Sequence, residues 1–371
     1  MKTFVISISL LYFGVHGYLL YSLWNLLPTV VWLRVVAIIV VVLGAVTPML
    51  FFAVGERLPM GLAGAVYKAG TAWMIALLYL VLSFLLMDLV KLGNQFFKYI
   101  DREALRSVFY HNGITSLIVL GGVTLLLLLG NVIYHNKERV VVDIKSEKIK
   151  RPLKVVGISD LHLGYTIQRK ELAKWVEMIN SENPDLIVIA GDLIDNQLRP
   201  VWEQGMQHEL QKLQAPMGVY ACTGNHEYIS GIKEVTQFYE AAGIELLRDS
   251  VAYVGEVAIV GREDYTNKGR KELGELMDEG MENRFTLLLD HQPNNLEAAR
   301  EHGIDFQLSG HTHKGQVFPG SLLVKRMFEL GHGYMQKGDT HYYVSSGLGI
   351  WGGKFRIGTR SEYLVLTIDN E

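Results

Sequence analysis

The stretch LKVVGISDLHLG, residues 153–164, is a nearly continuous apolar run that stops on Asp160-Leu161-His162. A short apolar run ended by turn residues reads as a buried β-strand. Working outward, the same event recurs four times. LIVIA (186–190) runs into Gly191-Asp192, and VYACT (219–223) into Gly224-Asn225-His226-Glu227. TLLLD (286–290) runs into His291, and FQLS (306–309) into Gly310-His311-Thr312-His313. In α/β sheets, ligands sit beyond the carboxyl ends of strands. Five strand ends that each deliver Asp, Asn or His therefore predict one polar cluster.

The surrounding region reads as one α/β domain over 137–371, a span that suits a single domain. Further strands are expected at 139–149, 245–247, 252–254, 257–260, 342–344 and 363–368, the 245–260 group being hairpin-like. Helices are expected at 169–180, 201–213, 232–242, 269–279 and 294–302. No internal repeat or low-complexity segment is present.

Residues 1–136 are a different material. They hold eight Lys/Arg against four Asp/Glu, whereas 137–371 holds 27 against 34, which together return the net charge of −3. About 20 apolar residues cross a bilayer as a helix. Four stretches qualify, at 4–24, 30–54, 69–90 and 113–134, and none shows a polar face at helical spacing. Trp24, Trp32, Trp73 and Tyr134 lie near their ends, where amphipathic rings favour the interface. A cleaved signal peptide fits poorly, because the first run is too long and lacks a cleavage site. Arg34 and Asp88 sit near span ends, His16 stands alone, and no polar set marks a transport path, so the helices read as an anchor. Residues 95–110 read as an interfacial amphipathic helix or an ordinary loop helix. Lys2, Arg57 and Lys68, with the basic run after the last span, outweigh Lys91, Lys98, Arg102 and Arg106. The positive-inside rule then puts the C-terminal domain in the cytoplasm, beneath the plasma or inner membrane.

With 49% apolar residues the chain is not disordered. Its near-zero charge argues against a nucleic-acid partner. A single cysteine, Cys222, excludes a disulfide framework and a Cys-rich zinc module. Carboxylate, imidazole and amide donors together suit Mn, Fe or Zn. Seven such donors are too many for one ion with an open position, and fit two divalent ions sharing a carboxylate. Such a pair clamps a phosphoryl group, with a hydroxide bridging the ions as nucleophile. No G-x-S-x-G and no Walker loop offers another route.

The ordered series SDLHLG, GDLID, GNHEY, DHQP and GHTHKGQ, covering residues 150–371, resembles the calcineurin-like metallophosphoesterase superfamily, in particular its membrane-associated bacterial members. That resemblance implies Asp160, His162 and His313 on one metal and Asp192 bridging. Asn225, His291 and His311 would hold the second metal. It implies His226 as the catalytic group that faces substrate and protonates the leaving oxygen, with Glu227 orienting it or exposed. It also implies two mixed β-sheets packed as a sandwich and flanked by helices. The implied whole is a membrane-anchored phosphoesterase acting on a phosphodiester, pyrophosphate or phosphomonoester, with a lipid-linked phosphate among the candidates. The rival is a catalytically silent membrane receptor or scaffold.

Asp290 reads as a partner for His291 or as a strand cap. Arg262, Asp264 and Arg356 read as salt-bridge formers, with binding of a substrate headgroup as the alternative, and His208, His302, His332 and His341 as surface or packed histidines. His332 and Tyr334 lie on a Gly-rich stretch able to reach the pocket. Cys222 reads as core.

Overall fold

The computed structural model describes residues 2–370, with side chains described for residues 6–370. Lys2, counted above for the charge asymmetry, lies outside the described side chains. The chain divides into two compact units, Met1–Gly130 and Asn131–Glu371, so the boundary falls inside the fourth apolar helix.

The four long helices are Lys2–Leu26, Val31–Val54, Met60–Phe97 and Gly113–His135, the last ending in the second unit. Each is long and apolar enough to cross a membrane. The third was expected over 69–90 but is continuous for 38 residues. Hydropathy marks only its apolar middle, while the flanking residues 60–68 and 91–97 continue the helix, so it reaches roughly 57 Å. Residues 95–110 contain a short helix, Arg102–Phe109, capped by Asp101, whose carboxylate accepts from the Glu103 and Ala104 amides. His16 is not alone. Its Nε2 accepts from Trp73 Nε1 at 3.0 Å, and its Nδ1 lies 2.8 Å from the Tyr12 carbonyl.

The second unit holds twelve strands among the described residues. They are β1 (Glu138–Lys145), β2 (Leu153–Ile158), β3 (Leu186–Ala190), β4 (Val219–Cys222), β5 (Glu245–Leu247) and β6 (Ser250–Val254). The others are β7 (Val257–Gly261), β8 (Phe285–Leu289), β9 (Phe306–Ser309), β10 (Gly333–Lys337), β11 (Thr340–Val344) and β12 (Glu362–Asp369). One sheet has the order β1-β12-β2-β3-β4-β5 and the other β10-β11-β9-β8-β7-β6. Both are mixed, since β12–β2, β10–β11 and β6–β7 are antiparallel and the other pairs parallel.

Alternation explains the packing. On β3, Leu186, Val188 and Ala190 join Val155, Leu287, Leu289, Phe306 and Leu308 between the sheets. Ile187 and Ile189 face the other way, onto Trp175, Val176, Val235 and Phe238 of the helices Arg169–Ser181 and Ile232–Ala241. A strand buried on both faces must be apolar throughout, which is why LIVIA and LKVVGI show no polar alternation. β2, β3 and β4 are parallel neighbours, as are β8 and β9. Their carboxyl ends therefore emerge together in each sheet.

Three expectations needed correction. β5 pairs with β4 in the first sheet rather than forming a hairpin with the next strands. The helix expected over 269–279 is replaced by 3-10 turns at Leu273–Leu276 and Glu279–Met281. There Asp278 and Glu275 bond nearby amides and compete with a longer helix. The helix expected over 201–213 is two short ones, Arg199–Glu203 and Met206–Leu210. The helix Gly320–Met327 and strand β10 were not foreseen.

Candidate metal centre

The five strand ends converge. After β2, Asp160 and His162 meet His313, which follows β9. His162 Nε2 lies 3.1 Å from His313 Nε2, and Asp160 Oδ1 is 3.9 Å from the first and 3.4 Å from the second. After β3, Asp192 meets His291, which follows β8, with Oδ2 to Nε2 at 3.2 Å. Asn225 Oδ1, at the end of β4, is 3.3 Å from His291 Nε2 and 2.9 Å from His311 Nδ1. The same Asp192 Oδ2 is 3.7 Å from His162 Nε2. This carboxylate thus stands between one group of Asp160, His162 and His313 and another of Asn225, His291 and His311. His226 lines the same cleft of about 230 Å³, together with Gln316 and Trp351.

The backbone is bent to make this possible. Asp160, His162, Asp192, His311 and His313 all have left-handed φ, between 47° and 67°. Non-glycine residues seldom adopt that region, and such strain gathers where side chains must be aimed. Two glycines allow the close approach. A Cβ on Gly224 would stand 2.2 Å from Asp192 Oδ1, and one on Gly310 would stand 2.3 Å from Asp160 Oδ2.

The donors suit divalent cations. Asp160 and Asp192 are buried, and among the described residues neither pairs with Lys or Arg. Buried carboxylates without a fixed cation are costly, and a metal supplies the missing charge. Among the described residues the His313 Nδ1 has no hydrogen-bond partner, and the His162 and His313 Nε2 atoms face each other at 3.1 Å, where an ion would take both lone pairs. Three sets, Asp160/His162/His313, Asp192/His291/His311 and His162/Asp195/His226, have donor atoms close enough to share an ion. Burial pushes the Asp160 carboxyl up. Burial opposes charge at His291, but the Asp192 carboxylate outweighs it and raises that imidazole well above its ordinary value. At His226 burial wins and pulls the imidazole down, against Asp192 and Asp195.

The supports were mostly not foreseen. His226 Nδ1 lies 2.6 Å from the Asp195 carbonyl, with the Asp195 carboxylate at 3.7 Å. Glu227 neither orients His226 nor meets solvent. It is fully buried and accepts from the amides of Asp192 (2.9 Å), Leu193 (2.9 Å) and Gly224 (2.6 Å), and from the Tyr239 hydroxyl (3.2 Å). It locks the loops of Asp192 and Asn225 together. Asp290 does not hold His291. It pairs with Arg262 and Arg270, while His291 Nδ1 sits 2.8 Å from the Ala190 carbonyl.

Arg356 forms no salt bridge among the described residues. It is fully buried and donates to the carbonyls of His313 (2.8 Å), Ser346 (2.5 Å) and Gly349 (3.0 Å). Burial draws its guanidinium down to about 10. It clamps the His313 turn to the loop after β11. Asp264 accepts from Thr266 and Gln292. His332 pairs with Glu362, and Tyr334 with His341, and neither lines the cleft. His208 and His302 make local contacts only, and Cys222 is core. A signal for Asp195 was present in GDLID, as a second acidic residue one short turn after Asp192. Arg356 gave none, because its partners are backbone atoms.

The model of the calcineurin-like phosphoesterase family matches residues 153–315. An uncharacterized metallophosphoesterase of Helicobacter pylori is 34% identical over 228 residues, covering 60% of this chain and 61% of that one. One of Campylobacter jejuni is 32% identical over 259 residues, covering 68% of each. A transmembrane protein with metallophosphoesterase domain from Danio rerio is 34% identical over 243 residues, covering 60% of this chain and 55% of that protein. The match thus spans about three fifths of the length of the Helicobacter relative. With every motif of the series in one cluster and a relative matched over two thirds of its length, the chain belongs to the calcineurin-like phosphoesterase family.

Proposed function

We propose that the protein is a membrane-anchored phosphoesterase whose site holds two divalent cations, Mn, Fe or Zn. The observation that carries this is the position of the Asp192 carboxylate, 3.7 Å from His162 and 3.2 Å from His291, between two groups of donors. Asp160, His162 and His313 would hold one ion, Asn225, His291 and His311 the other, and Asp192 both. The ions would supply Lewis-acid charge to the phosphoryl oxygens and acidify the attacking water.

The chain's own residues do the rest. Asp195 fixes the His226 ring through its carbonyl, so Nδ1 is engaged and Nε2 is the nitrogen free to exchange a proton with the departing oxygen. Glu227 and Arg356 hold the loops that aim Asp192 and His313. The walls of Trp351 and Gln316 narrow access to the cleft. The four apolar helices anchor the chain in the plasma or inner membrane, and the flanking basic residues favour a cytoplasmic catalytic unit. A phosphate ester is the substrate, and anchoring favours a lipid-linked one.

The test uses the full chain in detergent, stripped and reloaded with each metal. Bis-p-nitrophenyl phosphate is compared with p-nitrophenyl phosphate, with Asp192→Ala and His226→Ala as controls. Metal-dependent hydrolysis lost in both variants is expected. Hydrolysis that survives in Asp192→Ala would refute the assignment.

A further inference from the structure

Beside the cleft, the helix Gly320–Met327 turns Leu322, Leu323 and Met327 outward, all exposed. Leu322, Leu323 and Met327 share one face at i, i+1, i+5 spacing with Arg326 set among them, and no residue of this helix is buried. Leu323 is 63% and Met327 73% exposed. Phe318 and Trp351 extend the apolar surface to the rim of the cleft, both about half exposed. Lys325 and Arg326 are exposed, and among the described residues neither pairs with a carboxylate. Leucines and a methionine interleaved with unpaired cations make the pattern of a helix lying in an anionic lipid interface.

Two further contacts tie the loop of Lys354 to the end of the last apolar helix, within the same unit. Asn131 donates to the Lys354 carbonyl at 2.9 Å, and Tyr134, fully buried in the domain core, donates at 2.6 Å to Glu171, which also takes the Lys354 ammonium. The loop of Lys354 is bonded in turn to the segment just before the helix Gly320–Met327, where Gln316 donates to the Trp351 carbonyl and the Phe318 amide to the Ile357 carbonyl. The end of a membrane-length helix, Trp351 and the helix Gly320–Met327 are therefore linked through one loop.

We propose that this face rests in the headgroup layer of an anionic bilayer and that the cleft takes its phosphoester from the lipid surface. The second half rests on the phosphoesterase reading above. The first does not.

The experiment uses the full chain in vesicles of phosphatidylcholine and phosphatidylglycerol. Leu323→Cys carries a bimane label, and Glu240→Cys, on the helix beside β5 at the opposite edge of the first sheet, is the control. Cys222 is fully buried and stays unlabelled. Lipids brominated near the carbonyl should quench the label at 323 and leave 240 bright, while aqueous iodide should do the reverse. Iodide quenching at 323 equal to that at 240 would overturn the proposal. So would shielding of 323 from both quenchers, which would point to a protein contact instead.

On the same vesicles, Leu322→Glu with Leu323→Glu and Met327→Glu should abolish the lipid quenching of a label at Phe318→Cys. The triple variant should cut turnover of a vesicle-embedded phosphoester about tenfold or more and leave soluble bis-p-nitrophenyl phosphate unaffected. Equal turnover of the embedded ester would overturn delivery from the lipid surface. Lipid quenching in a chain that hydrolyses neither ester would sink the phosphoesterase reading and leave the docking standing.

Discussion

Replacing Glu227 with Gln should unlock the centre without touching a metal ligand. One carboxylate oxygen accepts from the Asp192 and Gly224 amides, and the other from the Leu193 and Ile194 amides and the Tyr239 hydroxyl. Whichever oxygen the amide nitrogen replaces, two buried backbone donors lose their acceptor. A buried donor left unmade costs about 1–3 kcal/mol, so the pair costs about 2–6 kcal/mol. For a unit of this size that lowers the melting temperature by about 5–20 °C. The loops carrying Asp192 and Asn225 would also drift, weakening metal affinity by about tenfold or more. The assay is a near-UV circular dichroism melt of the metal-free full chain in detergent, followed by a metal titration. A melting temperature within about 2 °C of the parent and an unchanged affinity would refute the role assigned to Glu227.

His226→Ala should retain the full metal content and lower kcat about 10²–10⁴-fold, read by elemental analysis and ester hydrolysis on one sample. Loss of metal would show that His226 is a ligand instead. Arg356→Met strips three buried carbonyls of their donor and should cost about 3 kcal/mol or more in a melt, even without metal. An unchanged melt would mean that the clamp is dispensable. Burial works against the Glu362 charge, but His332, the Ser346 amide and the Tyr343 hydroxyl outweigh it and hold its carboxyl below the ordinary value. A carboxyl depressed in the fold stabilises above its unfolded pKa, and that contribution fades as pH falls through the folded one. Melts should therefore drop below about pH 4.5, and Glu362→Gln should flatten that drop. An equally steep acid loss in the variant would exclude Glu362 as its source.

The clustering of the site side chains was legible because they sit at strand ends. Asp160, Asp192, Asn225, His291 and His313 each follow an apolar run that could be nothing but a buried strand. Order along the chain then stood in for proximity in space. Glu227 and Arg356 were misread for one reason: most of their partners are backbone amides and carbonyls of loops, and residue type does not record those. Asp290 was drawn to His291 by adjacency, yet it turns to Arg262 and Arg270 while His291 Nδ1 meets the Ala190 carbonyl. Strand β5 was grouped with its sequence neighbours because three residues carry no register. The helix Gly320–Met327 was missed because its face is apolar outward, the reverse of the pattern that marks a helix packed on a core.

The most direct test of the central claim is the number of ions each chain holds. Elemental analysis of the reloaded full chain, with Asn225→Ala and Asp192→Ala beside it, reads the two groups of donors separately. Two ions per chain are expected in the parent, one firmly held ion in Asn225→Ala, and a loss at both positions in Asp192→Ala. A single ion in the parent that is indifferent to Asn225→Ala would contradict a carboxylate shared between two metals.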